Sequence, residues 1–414
     1  MRPVVAVVGA GAAGLMTAIG AARAARAQDG EHPRILLFDS RKKVGAKILI
    51  SGGTRCNVTN QRVRPADYRG GPSHFVTHVL EAFDPDKTRG LFSSIGVKLV
   101  LEPSGKYFPV SHSGRTVLEA LLAECERLGV ECRFGEKVTG IEPSADGLVL
   151  ITAEGKIPVR RAALCTGGLS LPETGSDGTG LEIARTLGHT ILPTGAALTP
   201  YLTKDKDWTS LSGLSLEVEL SHFSKGRKRA AARGGFLFTH FGFSGPASLD
   251  LSRFWSLAGK DDGPRVEANF LPNVKEEDLR AGLERIRPTT AALCSLLTSK
   301  MGLPQRFVNT WIRKCGWTAA DSALGRDWQR RVLMGIFHYP LEVSGVYGYK
   351  KAEATAGGVD LREVRVSNMA SKKVPGLYFA GEILDVDGRI GGYNFQWAWS
   401  TGAIAGRSLV KDPA

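Results

Sequence analysis

The chain has 414 residues, 43% of them hydrophobic and 23% charged, which is enough apolar material for two or three domains with a large core. No apolar run reaches the ~18 residues of a membrane span, and no charged segment with a cleavage site precedes the first strand, so no secretory signal is expected and the cytoplasm is the default expectation. The formal net charge of +13 suits an anionic partner, either nucleic acid or an acidic surface, or else reflects only a basic proteome or a solubility adaptation.

The first apolar run, Val4–Val8, reads as a strand that enters Gly9-x-Gly11-x-x-Gly14 and then a helix over Ala12–Ala27. The glycines allow a tight turn, backbone approach to a pyrophosphate, and close packing of helix on strand. The helix N-terminus offers free N–H groups and a positive pole to phosphate. A second strand, Arg34–Asp39, completes a β-α-β unit with parallel strands. Asp39 then stands where a ribose-binding acid is expected, somewhat beyond the usual spacing of about 20 residues. An acid there disfavours a 2′-phosphate, so FAD or NAD is expected rather than NADP.

Gly45–Asn60 (GAKILISGGTRCNVTN) is the most unusual segment. Ser51, Gly52, Gly53 and Thr54 present small residues and open backbone N–H groups to a phosphate or a flavin ring. Arg55 is a candidate partner for an anion. Cys56 has two readings: a thiol with a pKa lowered by Arg55, fit for acid or nucleophile chemistry, or a buried thiol that stabilises a turn. The six cysteines show no Cys-x-x-Cys spacing and no metal pattern, so thiols and no metal are expected.

A helix is predicted over Arg115–Leu128, then strands at Glu131–Phe134, Lys137–Ile141, Leu148–Thr152 and Ala162–Cys165. The last of these ends in Thr166-Gly167-Gly168, a second close-approach loop. Beyond Gly195 the pattern changes to antiparallel β, as in Leu214–Leu220 and Gly235–Thr239. Lys225, Arg227, Lys228, Arg229 and Arg233 cluster there. His240 ends a strand and is a candidate proton donor. Helical signals fill roughly 275–337. The chain then returns to a β-turn-helix pattern: strand Leu377–Ala380, Gly381-Glu382, then Gly391, Gly392, Tyr393 and Asn394 opening a helix over Phe395–Val410. Glu382 is a candidate acceptor for a ribityl hydroxyl. Asp385 and Asp387 either bind ligand or keep their loop solvated. A helix N-terminus near the flavin would stabilise negative charge on the reduced ring.

These segments resemble the HI0933-like (BaiN-type) family of NAD(P)/FAD-dependent flavoproteins. The resembling stretches are VVGAGAAGL, KILISGGTRCNVTN, TGGLSLPETGSDGTG, FTHFGFSGPASL, ATAGGV and GLYFAGEILDVDGRIGGYNFQWAWSTGAIAG, which span nearly the whole chain. The resemblance implies an α/β fold: a doubly wound, glutathione-reductase-like FAD domain with an inserted small β-barrel and helical subdomain. On that basis residues 1–194 and 353–414 form the FAD domain and 195–352 the insert, with 195–266 and 343–352 as barrel and 267–342 as helices. It places Gly9, Ala10, Gly11, Ala12, Ala13, Gly14, Asp39, Ser51 to Asn57, Val138, Thr166, Gly167, Gly168, Gly381, Glu382 and Gly391 to Asn394 around FAD; Ser40, Lys47 and Asp385 are further candidates for the cofactor site. Two departures stand out: Asp39 replaces a more usual Glu, and Thr54 stands where the family tends to have Gly.

The expected function is hydride transfer through FAD, with NAD(P)H as a transient donor because only one dinucleotide fingerprint is present. Members of the family are linked to aminoketone oxidation, to bile-acid dehydroxylation steps and to reduction of a uridine in ribosomal RNA. The substrate readings are therefore a base in RNA, with Cys56 or His240 as proton donor, or a small amine or alcohol oxidised by O2. A third reading is a non-catalytic, FAD-bound RNA-binding factor.

Overall fold

The computed structural model describes residues 3–28, 31–318 and 324–411. The chain divides into two compact units, Met1–Gly195 with Glu353–Ala414, and Ala196–Ala352.

The first unit is built on β1 (Val4–Val8), α1 (Ala12–Arg26), β2 (Arg34–Asp39), β3 (Glu131–Phe134), β4 (Arg161–Leu164), β5 (Leu377–Phe379) and α2 (Tyr393–Lys411). The strands form one parallel sheet in the order β5-β4-β1-β2-β3. β1 and β4 are apolar almost throughout because both faces are covered, the pattern of an interior parallel strand. α2 comes from the far end of the chain yet packs along α1. Small residues permit this: a Cβ on Gly402 would lie 2.7 Å from the Ala13 carbonyl oxygen, and one on Gly406 would lie 2.3 Å from that of Thr17. The two helix backbones therefore touch, and the last segment of the chain closes over the first.

The second unit holds an antiparallel sheet ordered Tyr339–Leu341, Arg265–Asn269, Ser215–Ser224, Arg227–Thr239, Gly242–Ser244, Tyr201–Leu202, Gly345–Val346 among the described residues. Its two edge strands are consecutive in the chain and separated by residues 342–344 alone, so the sheet must curl round toward closure. Helices Glu276–Glu284, Thr290–Ser295, Gln305–Lys314 and Trp328–Phe337 accompany it. Fully buried Trp208 anchors this core, with ring centroids 5.6 Å from Phe238, 6.0 Å from Phe307 and 5.4 Å from Tyr339. No helix among the described residues is long and apolar enough to cross a membrane.

Candidate cofactor and active site

The β1–α1 turn is held from both sides. Gly9 N–H donates to the Phe38 carbonyl at 2.8 Å, and Cys165 N–H donates to the Val8 carbonyl at 2.8 Å. Gly9 has φ +102°, and a Cβ there would meet the Cys165 carbonyl oxygen at 2.5 Å. A Cβ on Gly14 would lie only 1.6 Å from the Gly9 carbonyl oxygen. Gly11 differs from both: nothing lies within 4 Å of the position its Cβ would take. It is the N-cap of α1 and supplies no side-chain cap, and the first turn of the helix, with Ala12 and Ala13, carries no acid. That leaves unsatisfied N–H groups and the positive pole of a 15-residue helix facing open space, the elements of a phosphate site.

Asp39 closes this loop. Its Oδ2 accepts from Ala10 N–H at 2.7 Å and its Oδ1 from Arg41 N–H at 2.8 Å. Ser40, next in the chain, is exposed, and Val138 is buried at the start of the strand Val138–Ser144. The third loop, Thr166 to Gly168, follows β4 directly. Thr166 Oγ1 is buried and has no hydrogen-bond partner among the described residues.

Two segments more than 300 residues apart meet at the start of α2. Asn60 Nδ2 donates to the Gly391 carbonyl at 3.0 Å, and Thr59 Oγ1 donates to Gln396 Oε1 at 2.6 Å. A Cβ on Gly392 would strike Asn57 Oδ1 at 2.8 Å and the Thr59 carbonyl at 2.9 Å, so only glycine fits, and its φ of +94° agrees. Asn57 Oδ1 is itself buried without a hydrogen-bond partner among the described residues. Asn394 instead serves its own turn, exchanging hydrogen bonds with Gly388 N–H and carbonyl at 2.8 and 2.9 Å. Tyr393 is buried, its ring 6.2 Å from that of Tyr68. An open, uncapped helix N-terminus and two buried, unpartnered polar atoms on separate loops of one unit suit a large, polar, anionic ligand such as a dinucleotide.

Gly52, Gly53, Thr54 and Cys56 all have positive φ, at 56°, 67°, 69° and 61°. For β-branched Thr54 this is a strained conformation that glycine would adopt freely. Thr54→Gly is expected to raise stability by about 0.5–1 kcal/mol and the melting temperature by about 1–2 °C, measured by thermal unfolding.

Three expectations need correction here. Cys56 is fully buried, and burial pushes its thiol up to about 12 against a partial offset from a Ser51 hydrogen bond. Arg55 does not lower it, because the guanidinium is committed elsewhere. It pairs with Glu102 at 2.6 Å and lies 4.0 Å over the Phe108 ring. The anion met by Arg55 is thus a protein carboxylate. Native protein at about pH 8 should leave Cys56 unmodified by iodoacetamide, while exposed Cys132 reacts. Fast alkylation of Cys56, located by peptide mass mapping, would restore the activated-thiol reading. The third correction concerns Asp385 and Asp387, which are 8% and 3% exposed and so do not solvate their loop.

Glu382 has a fuller role than an acceptor waiting for a hydroxyl. Its Oε2 accepts from Lys47 Nζ at 2.8 Å, and its Oε1 accepts from Ser170 Oγ at 2.6 Å and Thr355 Oγ1 at 2.8 Å. Lys47 also donates to Ser170 Oγ at 2.7 Å, and Thr355 Oγ1 accepts from the N–H groups of Leu169 and Ser170. One carboxylate therefore ties the short helix Ala46–Ile50, the loop after Gly168, the strand Ala354–Ala356 and Gly381 together. A Cβ on Gly381, whose φ is +82°, would lie 2.6 Å from that of Ala13, which puts this hub beside the start of α1. Lys47, Ser170 and Thr355 carry no local signal of this role; only the fold brings them to Glu382. His240 belongs to the other unit, exposed on the turn between the strands Arg227–Thr239 and Gly242–Ser244.

The site defines a dinucleotide-binding Rossmann protein whose glycine loop and C-terminal turn belong to one unit. The family model described as HI0933-like protein Rossmann domain matches residues 3–408, and the chain belongs to that family. It is an FAD-dependent oxidoreductase. It is 34% identical to a ribosomal RNA dihydrouridine synthase of Escherichia coli, over 98% of this chain and 97% of the relative. It is 33% identical to a protein of the same name from Haemophilus influenzae, over 98% of each. A 3-dehydro-bile acid delta(4,6)-reductase of Clostridium scindens is 30% identical over 99% of each chain.

Proposed function

We propose that this chain reduces a uridine of ribosomal RNA to dihydrouridine, with NADH or NADPH as hydride donor. The observation that carries the reading is the near-full-length similarity to two proteins named for that reaction. Dihydrouridine differs from uridine by two hydrogens across one carbon–carbon double bond conjugated to a carbonyl. The reaction needs a hydride at C6 and a proton at C5. When bound, FAD supplies hydride transfer at ring nitrogen N5.

The chain's own residues would do the rest. Gly9, Gly11 and the start of α1 would receive the pyrophosphate, with Asp39 at the adenosine ribose. Asn57 and Thr166 each bring a buried polar atom that lacks a partner. The Glu382 hub fixes the loops around them. His240 is the proposed proton donor to C5, since the Cys56 thiol is fully buried in the core. Charge supports the RNA reading: the 196–352 segment has 23 Lys and Arg against 15 Asp and Glu, a net of +8 out of the +13 of the chain.

The test is anaerobic. Flavin-loaded protein is bleached with NADPH or NADH, then mixed with ribosomal RNA from a strain lacking this gene. Flavin reoxidation with a two-hydrogen mass gain at a uridine is expected. Ribosomal RNA with identical uridine masses in wild-type and deletion strains would overturn the proposal. The Clostridium scindens relative supports a second reading, reduction of a small polycyclic enone. Reoxidation by such an enone, with RNA inert, would favour it.

A further inference from the structure

We infer that an aromatic and lysine patch in the 196–352 unit, centred on Phe241, Tyr347 and Lys351, is a docking platform for a single-stranded RNA segment. The inference rests on the proposed action on RNA and adds the surface that holds the strand.

Three rings are in contact, with Phe241 touching the other two. The His240 and Phe241 centroids are 4.9 Å apart, and those of Phe241 and Tyr347 are 5.3 Å apart, both edge to face. The ammonium of Lys351 lies 5.8 Å from the centre of the Tyr347 ring. The sheet assembles this cluster from distant residues. His240 and Phe241 sit on the turn between Arg227–Thr239 and Gly242–Ser244, and the Phe241 carbonyl accepts from Thr203 N–H at 3.1 Å. Tyr347 follows the strand Gly345–Val346, which pairs with Tyr201–Leu202, and its N–H donates to the Pro200 carbonyl at 2.9 Å.

Tyr347 is 39% exposed and His240 is exposed, so these rings lie at the surface instead of joining the core. Lys351 contacts the Tyr347 ring, and Lys204 and Lys350, next in the chain to Thr203 and Lys351, are exposed; among the described residues none of the three is in an ion pair with a carboxylate. Three acids nearby in the chain are engaged elsewhere: Asp205 and Glu342 with Lys314, and Asp207 with Arg313. The basic hairpin singled out in the sequence is different. There Lys225 faces Asp262, Lys228 faces Glu219 and Arg233 faces Glu217. Arg229 donates to the Ser224 carbonyl, and Arg227 is in no ion pair with a carboxylate among the described residues, so the hairpin's charge is mostly but not wholly paired. At Tyr347 unpaired lysines and exposed ring surface coincide.

Aromatic faces hold unstacked bases at about 1–3 kcal/mol each, and lysines take the phosphates. A duplex keeps its bases stacked, so this arrangement fits a single strand or loop.

The test measures binding of a fluorescent single-stranded ribosomal RNA oligonucleotide to the holoprotein at several salt concentrations. Tyr347→Ala should weaken binding about 10-fold or more, Tyr347→Trp should retain it, and Lys351→Glu should lower the salt slope by about one to two. FAD content and melting temperature report that each variant is folded. Tight RNA binding unchanged in Tyr347→Ala and Lys351→Glu overturns the platform and leaves the RNA substrate standing. A wild-type protein that binds no RNA overturns both.

Discussion

Gly14→Ala is expected to yield protein that is poorly folded and free of flavin, whereas Gly11→Ala is expected to fold normally and bind FAD weakly. The two substitutions add the same methyl group three residues apart, and the surroundings decide the outcome. At Gly14 the new carbon would fall 1.6 Å from the Gly9 carbonyl oxygen, which belongs to backbone pinned by hydrogen bonds and cannot retreat. Overpacking against side chains costs about 1–3 kcal/mol; against fixed backbone the cost should exceed about 3 kcal/mol. At Gly11 the methyl meets nothing within 4 Å, so the apoprotein keeps its stability. The methyl then occupies the space through which a phosphate reaches the N–H groups of α1. Loss of one charged hydrogen bond of about 1.5–3 kcal/mol predicts FAD affinity lower by about 10- to 100-fold. Apoprotein melting temperatures and flavin titrations measure the two effects separately. Equal destabilisation by both substitutions, with FAD affinity untouched in Gly11→Ala, would remove the assignment of this loop to the pyrophosphate.

Glu382→Ala is the second large effect expected. Truncation strands the Lys47 ammonium and the hydroxyls of Ser170 and Thr355, all of which now donate to one carboxylate. Lys47 and Glu382 are 24% and 21% exposed, so water screens part of the loss, and a destabilisation of about 2–4 kcal/mol is expected. Lys47→Met alone should cost less, because Oε1 keeps its two hydroxyl donors. The double variant Lys47→Met/Glu382→Ala should then be more stable than the sum of the single losses predicts, with a coupling of about 1–3 kcal/mol. Strict additivity in denaturant unfolding would show that the pair is incidental. The carboxylate offers about four lone-pair sites and three are filled here, so at most one remains for a ligand hydroxyl.

The β1–α1–β2 unit was legible from sequence almost to the residue: Val4–Val8 and Arg34–Asp39 stand as expected, and the helix ends at Arg26. Its signals are local, namely an apolar run, a glycine turn and an acid at the strand end. The C-terminal strand and helix were legible for the same reason. What escaped were relations set by the fold. Arg55 and Cys56 are adjacent in the chain, but Arg55 reaches Glu102, 47 positions away, while Cys56 points into the core. Glu382 and Lys47 are 335 positions apart, and no pattern within either segment announces the pair. Lys228 and Arg233 of the basic hairpin looked like free charge because their partners Glu219 and Glu217 lie on the opposing strand, visible only once the register is known. The helices Ser73–Ala82 and Pro85–Ser94 lie between two segments rich in glycine and were not anticipated.

The flavin content of the purified chain tests the central claim most directly. Protein released by heat or acid should give one equivalent of FAD per polypeptide, and stripped protein should take FAD back with quenching of its tryptophan fluorescence. Folded protein that carries no flavin and shows no response to added FAD would contradict the account at its root.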